Sequence, residues 1–328
     1  MLVPDMSALL EVTDLTVEFP TGPGRKVHAV SGVSFSVHEG ETLGLVGESG
    51  CGKSTTGRAI MQLPRPTSGS VVYDGQELTS LRGDSLRTVR RQLQMIFQDP
   101  ISSLNPRRRV HDIVAEPLAI WNVGTKDARD DKVRELLDAV GLDAAAATRR
   151  PHEFSGGQCQ RISIARSLAL DPKLLICDEP VSALDVSVQA QILNLLEDMK
   201  VRYGLTLIFV SHNLGVVKNI SDRVAVMYLG KLCELAPADD LYARPAHHYT
   251  SALLASIPVA DPRVRPGAAP DAVAGDPPSP IDPPSGCRFR TRCPRAEAHC
   301  AAAEPALREI APGHYVACHF PIGENDGR

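Results

Sequence analysis

A glycine-rich segment in the first fifth of the chain has the residue types and spacing that bind a nucleotide phosphate. It reads GESGCGKS and fits the pattern G-x-x-x-x-G-K-[ST]. Glycines let backbone N–H groups approach phosphate oxygens in conformations that a Cβ would forbid. We expect Lys53 to contact the β- and γ-phosphates and the Ser54 hydroxyl to bind Mg²⁺. The predicted ATP-binding residues of this loop are Gly47, Glu48, Ser49, Gly50, Cys51, Gly52, Lys53, Ser54 and Thr55.

Two adjacent acidic residues follow an apolar stretch, residues 174–177, later in the chain. Asp178 is placed to act as a Mg²⁺-side carboxylate. Glu179 is placed to polarise the attacking water as a general base. Such a pair of acidic residues also occurs in solvated turns. The assignment of these two roles therefore depends on the position of the pair relative to the other motifs.

Two further polar residues also come at the ends of apolar strands. We expect His212 to hydrogen-bond near the γ-phosphate, although a single histidine at a strand end is more often structural. Gln98 is expected to contact Mg²⁺ or the attacking water.

A second anion-binding element is predicted about 100 residues after the loop, where the chain reads Ser155-Gly156-Gly157-Gln158. Ser155 is a favourable N-cap, so these residues are expected to open a helix. The N-terminus of a helix attracts anions because its first N–H groups have no partner within the helix.

The elements that position these residues can be predicted from hydrophobic periodicity. Strands are expected at 9–19, 27–37, 42–46, 70–73, 93–97, 174–177, 207–211 and 224–228. Helices are expected from Ser54 to before Pro64 and at 110–120, 126–140, 158–169, 186–203 and 249–256. The sequence therefore predicts an α/β core of mostly parallel strands, interrupted by a helical insert and complete near Pro237.

Composition limits the classes of function. The 328 residues are 43% apolar and carry a formal net charge of −4, so no basic surface points to nucleic acid. No apolar run approaches the ~20 residues that span a bilayer, and residues 1–10 do not have the pattern of a secretory signal. We expect a cytosolic chain that reaches a membrane through partners.

The order of these motifs resembles the ATP-binding cassette (ABC) family over residues 9 to about 256. The resemblance implies a P-loop ABC ATPase core with a mostly parallel sheet and an antiparallel β subdomain. It also implies an inserted α-helical subdomain and a small Cys-rich C-terminal extension. The expected boundaries are 9–98 and 171–236 for the core, 99–170 for the helical signature subdomain, 237–257 for a family-specific helical segment, 258–286 for a Pro-rich linker and 287–320 for the Cys-cluster tail.

The family also implies roles that the residues alone do not reveal. Residues Ser155 to Gln158 would complete the ATP site of a partner subunit, acting in trans. Asp185 would lie at the interface between the two cassettes. Phe19 is the expected aromatic residue that stacks on adenine, although a phenylalanine at a strand end is more often in the core.

Several segments are similar to one branch of the family, the ATP-binding subunits of bacterial oligopeptide and dipeptide importers, and most of all to the second ATPase of the oligopeptide importer. Phe154 and Cys159 depart from the general family pattern and match this branch. So do residues 98–106, 177–185, 247–250 and 286–294. His248 stands where this branch usually has proline.

This branch implies a machine with two transmembrane permease subunits, a second homologous ATPase that forms a heterodimer, and an external peptide-binding protein. The chain would be peripheral, on the cytoplasmic face of the inner membrane. Gln98 and the helical insert would face the permease, whereas residues 107–109 are either a permease contact or a solvated run of arginines.

The same machine could import dipeptides, glutathione or nickel. A soluble, non-transport ABC protein would be expected to carry two cassettes or a long coiled coil. A regulatory cassette that does not hydrolyse ATP is disfavoured by Glu179 and His212.

Four cysteines lie within 32 residues near the C-terminus: Cys287, Cys293, Cys300 and Cys318. The alternatives are free thiols, a zinc site, for which no C-x₂-C pair is present, and a [4Fe–4S] cluster. The resemblance to the importer branch implies the iron–sulfur cluster. The iron–sulfur interpretation is favoured, with His299, His314 or His319 as replacement ligands. On this interpretation, Cys293→Ala loses the metal and destabilises the tail, and leaves nucleotide binding intact.

Overall fold

The structure is a computed structural model that describes residues 8–257 and 275–323. The predicted linker at 258–286 therefore lies largely outside the described residues. The chain divides into two compact units. Among the described residues, the first unit comprises 8–38, 42–80, 211–257 and 275–323, and the second comprises 39–41 and 81–210.

The strands, in chain order, are β1 (Ala8–Gly22), β2 (Arg25–His38), β3 (Thr42–Val46), β4 (Ser68–Tyr73), β5 (Gln76–Glu77), β6 (Leu93–Ile96), β7 (Leu174–Asp178), β8 (Thr206–Ser211), β9 (Arg223–Tyr228), β10 (Lys231–Pro237), β11 (Arg308–Ala311) and β12 (His314–Val316). The helices are α1 (Lys53–Ile60), α2 (Gly83–Arg90), α3 (Val110–Ile120), α4 (Lys126–Ala139), α5 (Gly156–Leu168), α6 (Val186–Tyr203), α7 (Leu214–Lys218), α8 (Ala238–Ala243), α9 (His248–Ala255) and α10 (Ala298–Ala302). Short 3₁₀ turns cover Ala144–Thr148 and Pro151–Glu153.

The first unit contains a four-stranded antiparallel sheet in the order β2-β1-β4-β5. Its two long strands alternate between buried and more exposed positions, as a sheet with one buried face requires. Leu10 lies opposite Val37 and Val12 opposite Phe35, and all four side chains are at most 1% exposed. This sheet is the predicted antiparallel β subdomain.

The first unit also contains β3, which pairs in parallel with β9. Strand β9 pairs antiparallel with β10, and β10 pairs antiparallel with β12. Every residue of β3 is buried, which explains its continuous apolar sequence. The chain leaves β3 at Gly47 and enters α1 at Lys53, so the glycine-rich loop joins a buried strand to a helix.

The prediction that the core is complete near Pro237 is wrong. Two residues of β10 pair with β12: Glu234 opposite Val316 and Leu235 opposite Tyr315. Phe289, also in the C-terminal part of the chain, is only 2% exposed. Strands of three and four residues have too few positions to show a period, so sequence periodicity does not detect them.

In the second unit, β6 pairs with β7 and β7 with β8, both in parallel. Within the described residues between 97 and 173, every regular element is helical, as predicted. Helices α3, α4 and α5 pack on one another there. The apolar residues Ile113, Val133 and Ile162 are at most 2% exposed, one from each helix.

Candidate functional site

The glycine-rich loop folds around the ammonium group of Lys53. The Lys53 Nζ donates to the carbonyl oxygen of Gly47 at 2.8 Å and to that of Glu48 at 3.0 Å. The lysine is 4% exposed although it carries a charge. Ser54 and Thr55 occupy the first turn of α1, where N–H groups point out of the helix. The loop thus has the form of an anion cradle with a cation within it.

Two glycines of this loop are required by close backbone contacts. A Cβ on Gly47, whose φ is +150°, would lie 2.1 Å from the Met227 carbonyl oxygen. A Cβ on Gly52, with φ +106°, would lie 2.2 Å from the Ala29 carbonyl oxygen. Gly50 differs, because its φ of +77° is left-handed but its Cβ direction faces open space. The loop is therefore pressed against β9 and β2 on one side and open at Gly50.

Glu48, the second residue of the loop, has contacts that the sequence does not indicate. Its backbone N–H donates to the Tyr249 hydroxyl at 2.9 Å. Its carboxylate pairs with Arg292, at 2.7 Å from Nη1 to Oε2 and 3.0 Å from Nη2 to Oε1. The hydrogen bonds to Glu48 raise the pKa of Arg292. The signals in the sequence were the segments 247–250 and 286–294, which contain Tyr249 and Arg292 and which the sequence analysis interprets only as family markers.

In the second unit, Asp178 is the last residue of β7 and is fully buried. Glu179 follows with a φ of +48°, which is rare for a residue other than glycine. Its N–H donates to the Val210 carbonyl at 3.0 Å. The Gln98 side-chain amide donates to Glu179 Oε2 at 3.2 Å. The structure thus brings Gln98 and Glu179 together, and the unusual backbone conformation fixes the direction of the Glu179 side chain.

Residues 155–158, the predicted second anion-binding element, form a capping box at the start of α5. The Ser155 hydroxyl accepts from the Gln158 N–H at 3.4 Å, and Gln158 Oε1 accepts from the Ser155 N–H at 3.0 Å. A Cβ on Gly157 would lie 2.5 Å from Val188 Cγ1, so any larger residue there would force Val188 to move. Asp185 caps α6 by accepting from the Val188 N–H at 3.0 Å. The starts of α5 and α6 are therefore adjacent within the second unit.

The other two predicted site residues are at the surface. His212 follows β8 and is exposed. Phe19 lies in β1, paired with Val27, and is 39% exposed. An exposed ring at a strand end is compatible with stacking on a base, and its role stays a prediction.

The four cysteines of the predicted cluster lie in the first unit. Burial raises the pKa of the Cys318 thiol to about 12, and interactions with Cys287, Cys293 and Cys300 add to the rise. In the parts of the chain that the structure describes, no three His, Cys, Asp or Glu side chains are grouped to hold a metal ion. His314 Nε2 lies 2.7 Å from Glu234 instead. His319 Nε2 lies 3.0 Å from the Ala303 carbonyl.

No helix within residues 8–257 and 275–323 is long and apolar enough to cross a membrane.

The chain matches two family models. Residues 30–182 match the ABC transporter family, and residues 233–300 match the oligopeptide/dipeptide transporter C-terminal region. The second match covers β10, the segment with Tyr249 and most of the cysteine cluster, so it coincides with the part of the chain that contacts the phosphate loop.

Relatives extend these matches to nearly the whole chain. The putative oligopeptide transport ATP-binding protein YkfD of Bacillus subtilis is 54% identical over 313 residues, which is 95% of each protein. The oligopeptide transport ATP-binding protein OppF of Salmonella typhimurium is 50% identical over 327 residues, 97% of each. Among solved structures, the dimeric post-hydrolysis ATP-binding cassette MJ0796 with ADP and phosphate has a TM-score of 0.64 at 29% identity, covering 70% of this chain and 98% of that one. The resemblance drawn from the motifs is thereby confirmed: the chain belongs to the ABC transporter family, in the branch that carries the oligopeptide/dipeptide transporter C-terminal region.

Proposed function

We propose that this protein is the ATP-hydrolysing subunit that energises oligopeptide import across the cytoplasmic membrane as part of an ABC importer. One observation carries the proposal: about half of the residues of this chain, over nearly its full length, are identical to those of proteins named for oligopeptide transport and ATP binding. The local geometry supports the ATPase part, because a phosphate cradle, a buried carboxylate and a signature helix occur on one chain.

In this proposal each motif has one chemical role. The loop at 47–55 binds the phosphates, with Lys53 as the cation that neutralises their charge. Mg²⁺, which we assign to Ser54, Gln98 and Asp178, neutralises charge on the β- and γ-phosphates when bound. Glu179 holds and orients the attacking water, and Gln98 fixes the carboxylate through the 3.2 Å hydrogen bond.

The remaining site residues act around the nucleotide. His212 hydrogen-bonds the γ-phosphate, Phe19 stacks on adenine, and Asp185 lies at the interface of two cassettes. Residues 155–158 contact the nucleotide of a second cassette, which suits their position at a helix N-terminus.

The partners follow from the same branch of the family. We propose two permease subunits, a second homologous ATPase and an external peptide-binding protein, with this chain peripheral at the cytoplasmic face of the membrane. ATP-driven closure and opening of two cassettes would then move the permease.

The cysteine cluster is proposed to hold a [4Fe–4S] cluster, with zinc as the alternative. The presence of four cysteines within 32 residues of sequence supports it. Within the described residues no three such side chains are grouped to hold a metal ion, so no step of hydrolysis is assigned to it. The test is to measure zinc, iron and acid-labile sulfide in protein purified without oxygen. Protein free of all three would reject both forms.

The central experiment is affinity capture of the Glu179→Gln protein from its own cell's membranes in the presence of ATP, followed by mass spectrometry. Two permease subunits and a second, different cassette are the expected companions. The permease's binding protein then identifies the cargo among oligopeptides, dipeptides, glutathione and nickel. Ribosomal or DNA-repair proteins without a permease would reject the transport role and leave a soluble ABC ATPase.

A further inference from the structure

Two side chains from outside the ATPase motifs hold Glu48, the second residue of the phosphate loop. Tyr249, at the start of α9, accepts the Glu48 N–H at 2.9 Å. Arg292 forms two parallel hydrogen bonds with the Glu48 carboxylate, at 2.7 and 3.0 Å. Two-pronged arginine–carboxylate pairs fix orientation as well as distance. Tyr249 therefore restrains the backbone of Glu48, and Arg292 restrains its side chain.

The two anchors are themselves fixed by burial. The Tyr249 side chain is fully buried, and its ring centroid lies 4.7 Å from that of Tyr228 and 5.3 Å from that of Phe289. The side chain of Arg292 is 6% exposed, and its Nη1 lies 3.4 Å from the Tyr228 hydroxyl. Restraints from such side chains are stiff because packed interiors leave little room for movement.

Glu48 also contacts the cation that binds phosphate. Its carbonyl oxygen accepts from Lys53 Nζ at 3.0 Å, while its carboxylate pairs with Arg292. Gly47 and Gly52 are pressed against neighbouring strands, so Glu48 lies on the stretch of loop between two fixed points. A shift of Glu48 would therefore change the position from which Lys53 meets a phosphate.

We propose that Arg292 and Tyr249 are positioning residues that set the conformation of the phosphate loop, so that the oligopeptide/dipeptide transporter C-terminal region controls the affinity for ATP. This inference rests on the proposed ATP-binding function of the loop. Arg292 has a second effect, since it neutralises a carboxylate next to the expected triphosphate. The C-terminal region would then be part of the nucleotide site through its contacts with Glu48 of the phosphate loop.

The test measures Mg–ATP affinity by calorimetry on the full chain, together with steady-state ATPase kinetics. Arg292→Ala is expected to weaken ATP binding about tenfold, equivalent to about 1.4 kcal/mol. KM should rise by a similar factor, while kcat at saturating ATP stays near the wild-type value. A variant that is damaged only in its fold would lose kcat through its inactive fraction and keep KM.

Two conservative variants separate positioning from general destabilisation. Arg292→Lys keeps the charge but loses the fork, so its affinity should fall between those of the wild type and Arg292→Ala. Tyr249→Phe keeps the packed ring and removes only the acceptor, so it should weaken binding by a smaller factor. Arg290→Ala is the matched control, because Arg290 lies in the same segment and bonds to Ser285. It should bind ATP like the wild type.

The double variant Arg292→Ala/Glu48→Gln separates position from charge. Positioning predicts that binding stays weak after the carboxylate charge is removed. Full recovery of affinity would overturn the inference and leave only charge neutralisation. Equal affinity of folded Arg292→Ala and wild-type protein would overturn it as well. If the wild type itself does not bind Mg–ATP, the proposed function fails instead, so the two failures are distinguishable.

Discussion

The strongest stability prediction concerns Glu234, a carboxylate on β10 that is fully buried. It accepts three hydrogen bonds: from the Ala246 N–H at 2.7 Å, from the His247 N–H at 2.9 Å and from His314 at 2.7 Å. These donors come from the turn before α9 and from β12. Glu234 therefore joins the segment that carries Tyr249 to the C-terminal strands.

Replacing Glu234 with alanine removes the acceptor of three buried hydrogen bonds. Each buried unsatisfied group costs about 1–3 kcal/mol, so three of them would cost about 3–9 kcal/mol if none found another partner. Because the freed groups relax in part, we expect Glu234→Ala to destabilise the protein by about 3–5 kcal/mol. At about 2 °C per kcal/mol for large chains, the unfolding midpoint should fall by about 6–10 °C.

The assay is thermal unfolding at neutral pH, followed by circular dichroism and by calorimetry. Glu304→Ala is the matched control, because Glu304 pairs with Lys231 of the same strand at 2.6 Å but is 56% exposed. Exposed pairs contribute only about 0–1 kcal/mol. If Glu234→Ala lowers the midpoint no more than this control does, the three hydrogen bonds do not hold the region, and the reasoning is refuted.

Three further predictions address nucleotide binding and pH. Lys53→Ala should abolish measurable Mg–ATP binding, because the loop loses the cation that its carbonyl groups surround; calorimetry at millimolar ATP checks this. The sequence analysis expects Cys293→Ala to leave ATP binding intact, but because Cys293 adjoins Arg292, which holds Glu48, the structure leads us to expect weaker binding; unchanged affinity would favour a tail that acts independently of the loop. Burial lowers the pKa of His247 to about 4, below its ordinary 6.5, so the unfolded chain binds more protons between these values. Stability should therefore be full above pH 6.5 and fall by about 3 kcal/mol as pH drops toward 4, which unfolding midpoints at several pH values would show.

Sequence reasoning succeeded where the signal is local. The glycine-rich loop was predicted between a strand and a helix because all three elements lie within about 20 residues. The predicted helices 110–120 and 186–203 are confirmed with the same ends. Helix α6 has favourable residues at both ends, since Asp185 caps its start and the helix ends at Gly204 with a φ of +62°.

The missed features depend on partners that are distant in the sequence. Arg292 and Glu48 are 244 residues apart, and His314 and Glu234 are 80 apart, so no window of sequence contains either pair. Helix α2 was missed because only Leu86 and Val89 are buried among polar neighbours, too few to give a period. The sequence predicts the C-terminal part only as a cysteine-rich tail, whereas in the structure Phe289 packs against both Tyr228 and Tyr249.

The pairing of β12 with β10 also affects how the protein behaves in a crowded solution. A strand at the border of a sheet offers backbone N–H and C=O groups to any other chain that can extend beside it. Here β12 covers β10, and the outermost strand, β11, has only four residues and carries Arg308 and Glu309. Short, charged borders resist such association. The C-terminal strands thus protect the sheet from aggregation, and a chain cut before them would be expected to precipitate even if its nucleotide site were intact.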